Sequence, residues 1–297
     1  MNAIRMTAGL LLGTAVVTGC SDRSPTTSTG APAPPSAIVL GQIEPGHPYV
    51  GAIILDAPSP SWFPVSYQPW YCSGTLLSSR VVQTAAHCFA FAAQTAGYPA
   101  EALPSSLIHV SFAANVTDPS SWREVTGYVF HPDFVPPFGT PDVALVFLSR
   151  PINDIQPGTL APAGYLDSFK NAELQASTFW DVGYGMLGAG DNFALTGDRR
   201  IAAVGFQQLD ANFLYMQRDP GGPCIGDSGG PLLLAAGGIE YVVADLHALR
   251  AKFNTNEKQD CTGDFAAQRM DLANVVTFIQ STIASHRPSD FNPVLRP

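Results

Sequence analysis

The stretch that decides the architecture is Cys224-Ile225-Gly226-Asp227-Ser228-Gly229-Gly230-Pro231, which runs into the apolar Leu232-Leu233-Leu234. Gly, Asp, Ser and Pro are all turn formers, so the string alone is compatible with a plain surface turn. Held between a cysteine and an apolar run, it reads instead as a sharp turn that presents the Ser228 hydroxyl. Gly226 leaves the backbone free to aim N–H groups inward. Outward from that turn the chain reads as strands. Gly51–Ile54, Gly74–Leu77, Arg80–Gln83, Ile108–Phe112, Glu124–Phe130, Val143–Leu148, Pro231–Leu234 and Tyr241–Ala244 are short runs rich in Val, Ile, Phe and Tyr. Gly, Pro, Asp and Ser separate them at turn-like intervals. Only Asp271–Ser285 has strong helical spacing, with Leu272, Val275, Val276, Ile279 and Ile283 on one face. Many short strands and one terminal helix mark an all-β chain of barrel or sandwich type, and periodicity does not choose between the two.

The composition fits. Of 297 residues, 46% are hydrophobic and 13% charged, with 27 Gly and 26 Pro, which excludes global disorder and suits strands joined by turns. A net charge of −9 with no basic cluster argues against a nucleic-acid partner. No apolar run of about 18 residues follows the first twenty, so the body is not expected to span a membrane.

Residues 1–20 read as an address. Met1–Arg5 carries positive charge and Gly9–Val17 is apolar, the pattern of a secretory signal. Val17-Thr18-Gly19-Cys20 resembles the lipobox of bacterial lipoproteins, which implies lipidation of Cys20 and an exported protein, either a cell-envelope lipoprotein or freely secreted. Membrane contact is then expected only through that anchor. Residues 21–37, rich in Ser, Thr, Pro and Ala, read as a disordered tether or propeptide. The cysteines are 20, 72, 88, 224 and 261. With Cys20 lipidated, four remain, and sequence alone leaves their three connectivities open. No His/Cys cluster has zinc-ligand spacing, so no metal is expected.

Two further motifs join the Ser228 turn. One is Cys72-Ser73-Gly74-Thr75-Leu76-Leu77 with Thr84-Ala85-Ala86-His87-Cys88-Phe89, and the other is Pro141-Asp142-Val143-Ala144-Leu145-Val146. In the order His, Asp, Ser they resemble the chymotrypsin/trypsin family of serine endopeptidases. The resemblance covers roughly Ile38 to His286, with Val182-Gly183-Tyr184-Gly185 similar to the turn that opens the family's second barrel. It implies two six-stranded antiparallel β-barrels, residues 38–160 and 161–286, the second ending in the helix, then a tail at 287–297. It also implies disulfides Cys72–Cys88 and Cys224–Cys261, protein or peptide substrates, a monomer and no cofactor.

The chemistry suits the residue types. A serine hydroxyl needs a base to take its proton as it attacks, and His87 is that base, returning the proton to the leaving amine. Asp142 holds the imidazole tautomer, with Asp133 in His131-Pro132-Asp133-Phe134 competing for the role. The N–H groups of Gly226 and Ser228 form the oxyanion hole. A catalytically silent binding module, or an esterase-like hydrolase or envelope lipoprotein, are rival readings; the intact His, Asp and Ser favour the endopeptidase.

Departures from the family pattern bear on specificity and activation. Six residues before Ser228, where trypsin-like members carry an aspartate, stands Gly222, followed by Pro223. Gly222, Pro223 and Ile225 are therefore expected to line a pocket for an uncharged side chain, not Arg or Lys. The segment Ala244-Asp245-Leu246-His247 stands where the family has Ser-Trp-Gly, with its register open. Asp245 or His247 could face the pocket, and a solvated turn is the expected setting of His247. Ala37-Ile38-Val39-Leu40-Gly41 resembles an activation site whose freed Ile38 amine pairs with Asp227, although Leu40 replaces a glycine and Ala37 is not a trypsin cleavage site.

Overall fold

The computed structural model describes residues 41–61, 63, 66–187, 193–218, 221–249, 261 and 263–286. The leader with Cys20, the tether, Ile38 and the tail at 287–297 lie outside the described residues. After β1 (Gln42–Ile43) come β2 (Val50–Leu55), β3 (Trp70–Leu76), β4 (Val81–Thr84), α1 (Ala86–Thr95), β5 (Ile108–Ser111), β6 (Arg123–Phe130) and β7 (Ala144–Leu148). The six strands from β2 to β7 form a closed antiparallel barrel in the order β2-β3-β4-β7-β6-β5.

Next follow β8 (Thr159–Leu160), α2 (Asn171–Ala176), β9 (Phe179–Gly183), β10 (Arg200–Leu209), β11 (Phe213–Arg218), β12 (Pro231–Ala236), β13 (Ile239–Leu249), β14 (Phe265–Arg269) and α3 (Ala273–Ser285). A second six-stranded antiparallel barrel runs β9-β10-β11-β14-β13-β12 and closes through the pairing of β12 with β9. Of the two barrels expected, both are present, and so is the terminal helix. Two short strands from the earlier segment edge the second barrel: β1 pairs with β10, and β8 runs parallel to β13.

Burial explains why β2 reads as a continuous apolar run rather than an alternating one. Ile53 and Leu55 enter the first barrel. Val50, Ala52 and Ile54 point the other way, into a core shared with Val182, Tyr184 and Leu233 of the second barrel and with Val275 and Ile279 of α3. Fully burying each such Ile, Leu or Val contributes about 1.5–3 kcal/mol, so the contact between barrels is a core in its own right. Phe179, Phe206, Met216, Leu232, Leu234 and Phe265 fill the second barrel. Buried Arg199 stitches across the seam, donating through Nε to the Glu44 carbonyl at 2.9 Å and through Nη1 to the Tyr184 hydroxyl at 3.1 Å.

Helix α1 departs from the expectation that only the end of the chain is helical. Its Ala-rich stretch has high helix propensity, but Ala86, His87, Cys88, Phe89, Ala90, Ala92 and Ala93 are all buried. A helix covered on most sides has no polar stripe to reveal its period. The bonds Cys72–Cys88 and Cys224–Cys261 are both formed. Among the described residues no helix is long and apolar enough to cross a membrane.

Candidate active site

The loop between β11 and β12 carries Ser228, and its glycines are there because of what crowds them. A Cβ on Gly229, where φ is +77°, would lie 2.3 Å from Thr84 Oγ1 and 2.4 Å from the Ala85 nitrogen. One on Gly230 would lie 2.7 Å from the Val182 carbonyl oxygen. Gly226 adopts φ +100°, a conformation costly for any residue with a side chain. The first barrel grips this loop through Ser73 on β3. The Ser73 N–H donates to the Ser228 carbonyl at 2.8 Å, and Ser73 Oγ donates to the Gly226 carbonyl at 3.0 Å while accepting from the Tyr184 N–H at 2.9 Å. Gly229 and Leu246 of β13 bond through the Gly229 N–H at 2.8 Å. Ser228 is thus held from both barrels. Among the described residues, the N–H groups of Gly226 and Ser228 and the Ser228 hydroxyl make no hydrogen bond.

His87 sits in the first turn of α1, and Asp142 lies two residues before the start of β7. The His87 N–H donates to Asp142 Oδ1 at 2.8 Å, and His87 Nδ1 lies 2.5 Å from Asp142 Oδ2. The two contacts fix both the backbone and the ring of His87 on one carboxylate. Asp133, the competing acid, points outward beside His131 at 3.9 Å with its side chain 71% exposed. Burial alone would raise the Asp142 carboxyl. The His87 imidazole, with hydrogen bonds from His247 and His87, outweighs that cost and holds it well below the usual carboxylate range.

His247 differs from its expected setting as a solvated turn residue. It is buried on β13, and its Nδ1 lies 2.7 Å from Asp142 Oδ2. The reason is a bulge: β13 pairs Leu246 with Ala267 and Ala248 with Ala266 of β14, leaving His247 as the extra residue. Two polar residues, Asp245 and His247, alternating with Ala244, Leu246 and Ala248 in an apolar strand were the signal in the sequence. Asp245 turns away from the cavity and accepts from Gln83 Nε2. Gln268 on β14, which the sequence did not single out, accepts from the Asp142 N–H at 3.2 Å. His87, Asp142 and His247 bring potential metal-donor atoms within 4.8 Å of one another, and both histidines already turn Nδ1 to Asp142 Oδ2.

A cavity of about 280 Å³ opens on this group. His87, Ser228 and His247 line it together with Phe63, Trp70, Phe138, Ile225 and Leu249. Gly222 and Pro223 lie outside that lining. The Arg218 side chain covers Gly222, where a Cβ would meet Arg218 Cγ at 2.8 Å and Nη1 at 3.2 Å, and Arg218 Nη2 donates to the Pro223 carbonyl.

A family model described as Trypsin matches residues 55–245, more than half of the 297-residue chain. The chain belongs to the trypsin family. It is also 36% identical over 101 residues to ovochymase from Halocynthia roretzi, a match covering 33% of this chain and 6% of the ovochymase.

In this trypsin-family chain a second acid, Asp227, lies next to Ser228 with a different environment. It accepts from the Gly185 N–H at 2.7 Å and the Cys224 N–H at 2.9 Å. Gly183 and Gly185 make room for it, since a Cβ on either would lie 2.2 Å from an Asp227 oxygen. Burial raises its carboxyl to about 6, against the lowering by those N–H donors and by Arg218. Neighbouring Asp181 is fully buried, and neither of its oxygens has a hydrogen-bond partner among the described residues. Burial first, and then the charge of Asp227, pushes it well up.

Proposed function

We propose that the protein is a serine endopeptidase that hydrolyses peptide bonds through Ser228, His87 and Asp142. Ser228 Oγ attacks the scissile carbonyl carbon as His87 Nε2 takes its proton. His87 then gives the proton to the leaving amine, and water repeats the sequence on the acyl-enzyme. Asp142 keeps the His87 proton on Nδ1 and stabilises the imidazolium. The unengaged N–H groups of Gly226 and Ser228 take the developing oxyanion. The observation that carries this reading is the double hold of Asp142 on His87, through backbone N–H and ring, at the rim of the cavity that Ser228 lines. Hydrogen bonds between nucleophile and base are often long in unliganded sites and tighten on substrate, which accounts for the unbonded Ser228 hydroxyl.

The apolar lining favours an uncharged side chain on the substrate residue preceding the cleaved bond. A cationic side chain reaching toward Gly222 would meet the Arg218 guanidinium. Substrates are then proteins or peptides, met by a monomer that is exported and either anchored through Cys20 or freed by cleavage after Ala37. Cleavage there would release an Ile38 amine to pair with buried Asp227, whose raised carboxyl calls for such a partner. Profiling a peptide library with the purified protein tests the reading. Cleavage after uncharged residues, lost in Ser228→Ala, is expected. Fastest cleavage after Arg or Lys would contradict the specificity, and unchanged cleavage by Ser228→Ala would contradict the mechanism.

A further inference from the structure

We propose that Asp245 carries its proton in the folded protein and closes a two-bond acid–amide pair with Gln83. The pair positions the strand that holds the Ser228 loop against the strand that leads to His87, a role that rests on the serine endopeptidase reading above. Gln83 lies on β4 of the first barrel and Asp245 on β13 of the second, and both side chains are fully buried. Gln83 Nε2 donates to Asp245 Oδ2. The other oxygen of each group, Asp245 Oδ1 and Gln83 Oε1, has no hydrogen-bond partner among the described residues. Both are acceptors when the acid is ionised, and a buried acceptor left unpaired costs its desolvation. One proton on Oδ1 removes both faults, because the Asp245 O–H then donates to Gln83 Oε1.

The surroundings favour the neutral acid. Burial, and next the negative charge of Asp142, push the Asp245 carboxyl well up, against the lowering by Gln83. Across the sheet Asp245 stands opposite Pro231 of β12 and Gln268 of β14, neither of them charged. His87 and His247 turn their Nδ1 atoms to Asp142, so Asp142 is the charge that Asp245 feels. Position gives the pair its role. β4 runs through Ala85 into α1 and His87. Next to Asp245, the Leu246 N–H donates to the Gly230 carbonyl at 2.9 Å, and the Leu246 carbonyl accepts the Gly229 N–H at 2.8 Å. The acid–amide pair therefore joins the strand feeding the base to the strand gripping the nucleophile loop. Ionisation of Asp245 would break one of the two bonds and set a second negative charge in range of Asp142.

Two variants separate the pair from the space it fills. Asp245→Asn keeps both hydrogen bonds without a titrating proton, since its amide donates to Gln83 Oε1 and accepts from Nε2. Asp245→Leu removes both. At pH 7 the infrared spectrum of the wild-type protein should contain a carboxylic-acid C=O band that D245N lacks, and bands from Asp181 and Asp227 cancel in that difference. On a peptide substrate D245L should lose kcat about 10- to 100-fold through misplaced catalytic groups, with KM little changed, and D245N should recover most of it. An acid whose folded value is raised stabilises the fold below its unfolded value of about 4 and loses that contribution as pH rises. The Tm of D245N should therefore match wild type near pH 4 and exceed it by about 2–4 °C at pH 9. If D245L does not fold, the infrared comparison and the D245N profile still decide. No band in the difference, or a D245N as impaired as D245L, overturns the inference and leaves the triad standing. An inactive wild-type protein that keeps the band overturns the endopeptidase reading and leaves the acid–amide pair standing.

Discussion

Two sets of buried carboxylates flank Ser228, and their surroundings shift them in opposite directions. Asp142, at the mouth of the first barrel, is fully buried yet held well below the usual carboxylate range. Asp181 and Asp227, in the second barrel, are just as buried and are pushed up, Asp227 to about 6. Depth is the same in both places, so depth does not decide the charge. Donors decide it. Asp142 receives one backbone N–H and two imidazoles, whereas Asp227 receives two backbone N–H groups and Asp181 none among the described residues. The lesson is that, of these three acids, the one met by two imidazoles is held toward its charged form, and the other two are pushed toward their protonated form.

The sharpest way to break that contrast is Asp142→Asn, which removes the charge but keeps the shape. Activity should fall by about 10⁴-fold in kcat, and a loss under tenfold would mean that Asp142 does not serve His87. A middle-sized effect is expected from Gly185→Ala. The new Cβ would lie 2.2 Å from Asp227 Oδ2 and force the carboxylate off its N–H donors, costing about 1–3 kcal/mol in urea denaturation. An unchanged midpoint would show that Asp227 is not confined there. The smallest effect is expected from Asp181→Asn and depends on pH. An acid whose folded value is raised binds its proton more tightly in the native state, so its contribution to stability falls as pH rises above about 4. Asp181→Asn should therefore raise Tm by about 2–4 °C at pH 8 and change it little at pH 4. An equal gain at both values, or a loss at pH 8, would contradict the environment assigned to Asp181.

Much of this contrast was legible in the sequence, for identifiable reasons. The Ser228 turn, the His87 segment and the Asp142 segment each carry local steric demands, such as glycines that no side chain can replace, and these survive as strings. Strands β2 and β7 were legible because both of their faces are apolar. β10, β11 and β14 were not anticipated, since each mixes polar residues such as Gln207, Gln217 and Gln268 into one face. His247 was visible but misread, because a bulge depends on the pairing of two strands and has no signature within either one. Asp181 was missed for a similar reason: its proximity to Asp227 joins β9 to a loop 46 residues later.

The central claim is that Ser228 is a nucleophile activated by His87, and covalent labelling with a fluorophosphonate followed by mass mapping tests it most directly. The account predicts a single adduct on Ser228, absent in Ser228→Ala and formed roughly 10²–10⁴-fold more slowly in His87→Ala. An adduct on another residue, or His87→Ala labelled at the wild-type rate, would contradict it.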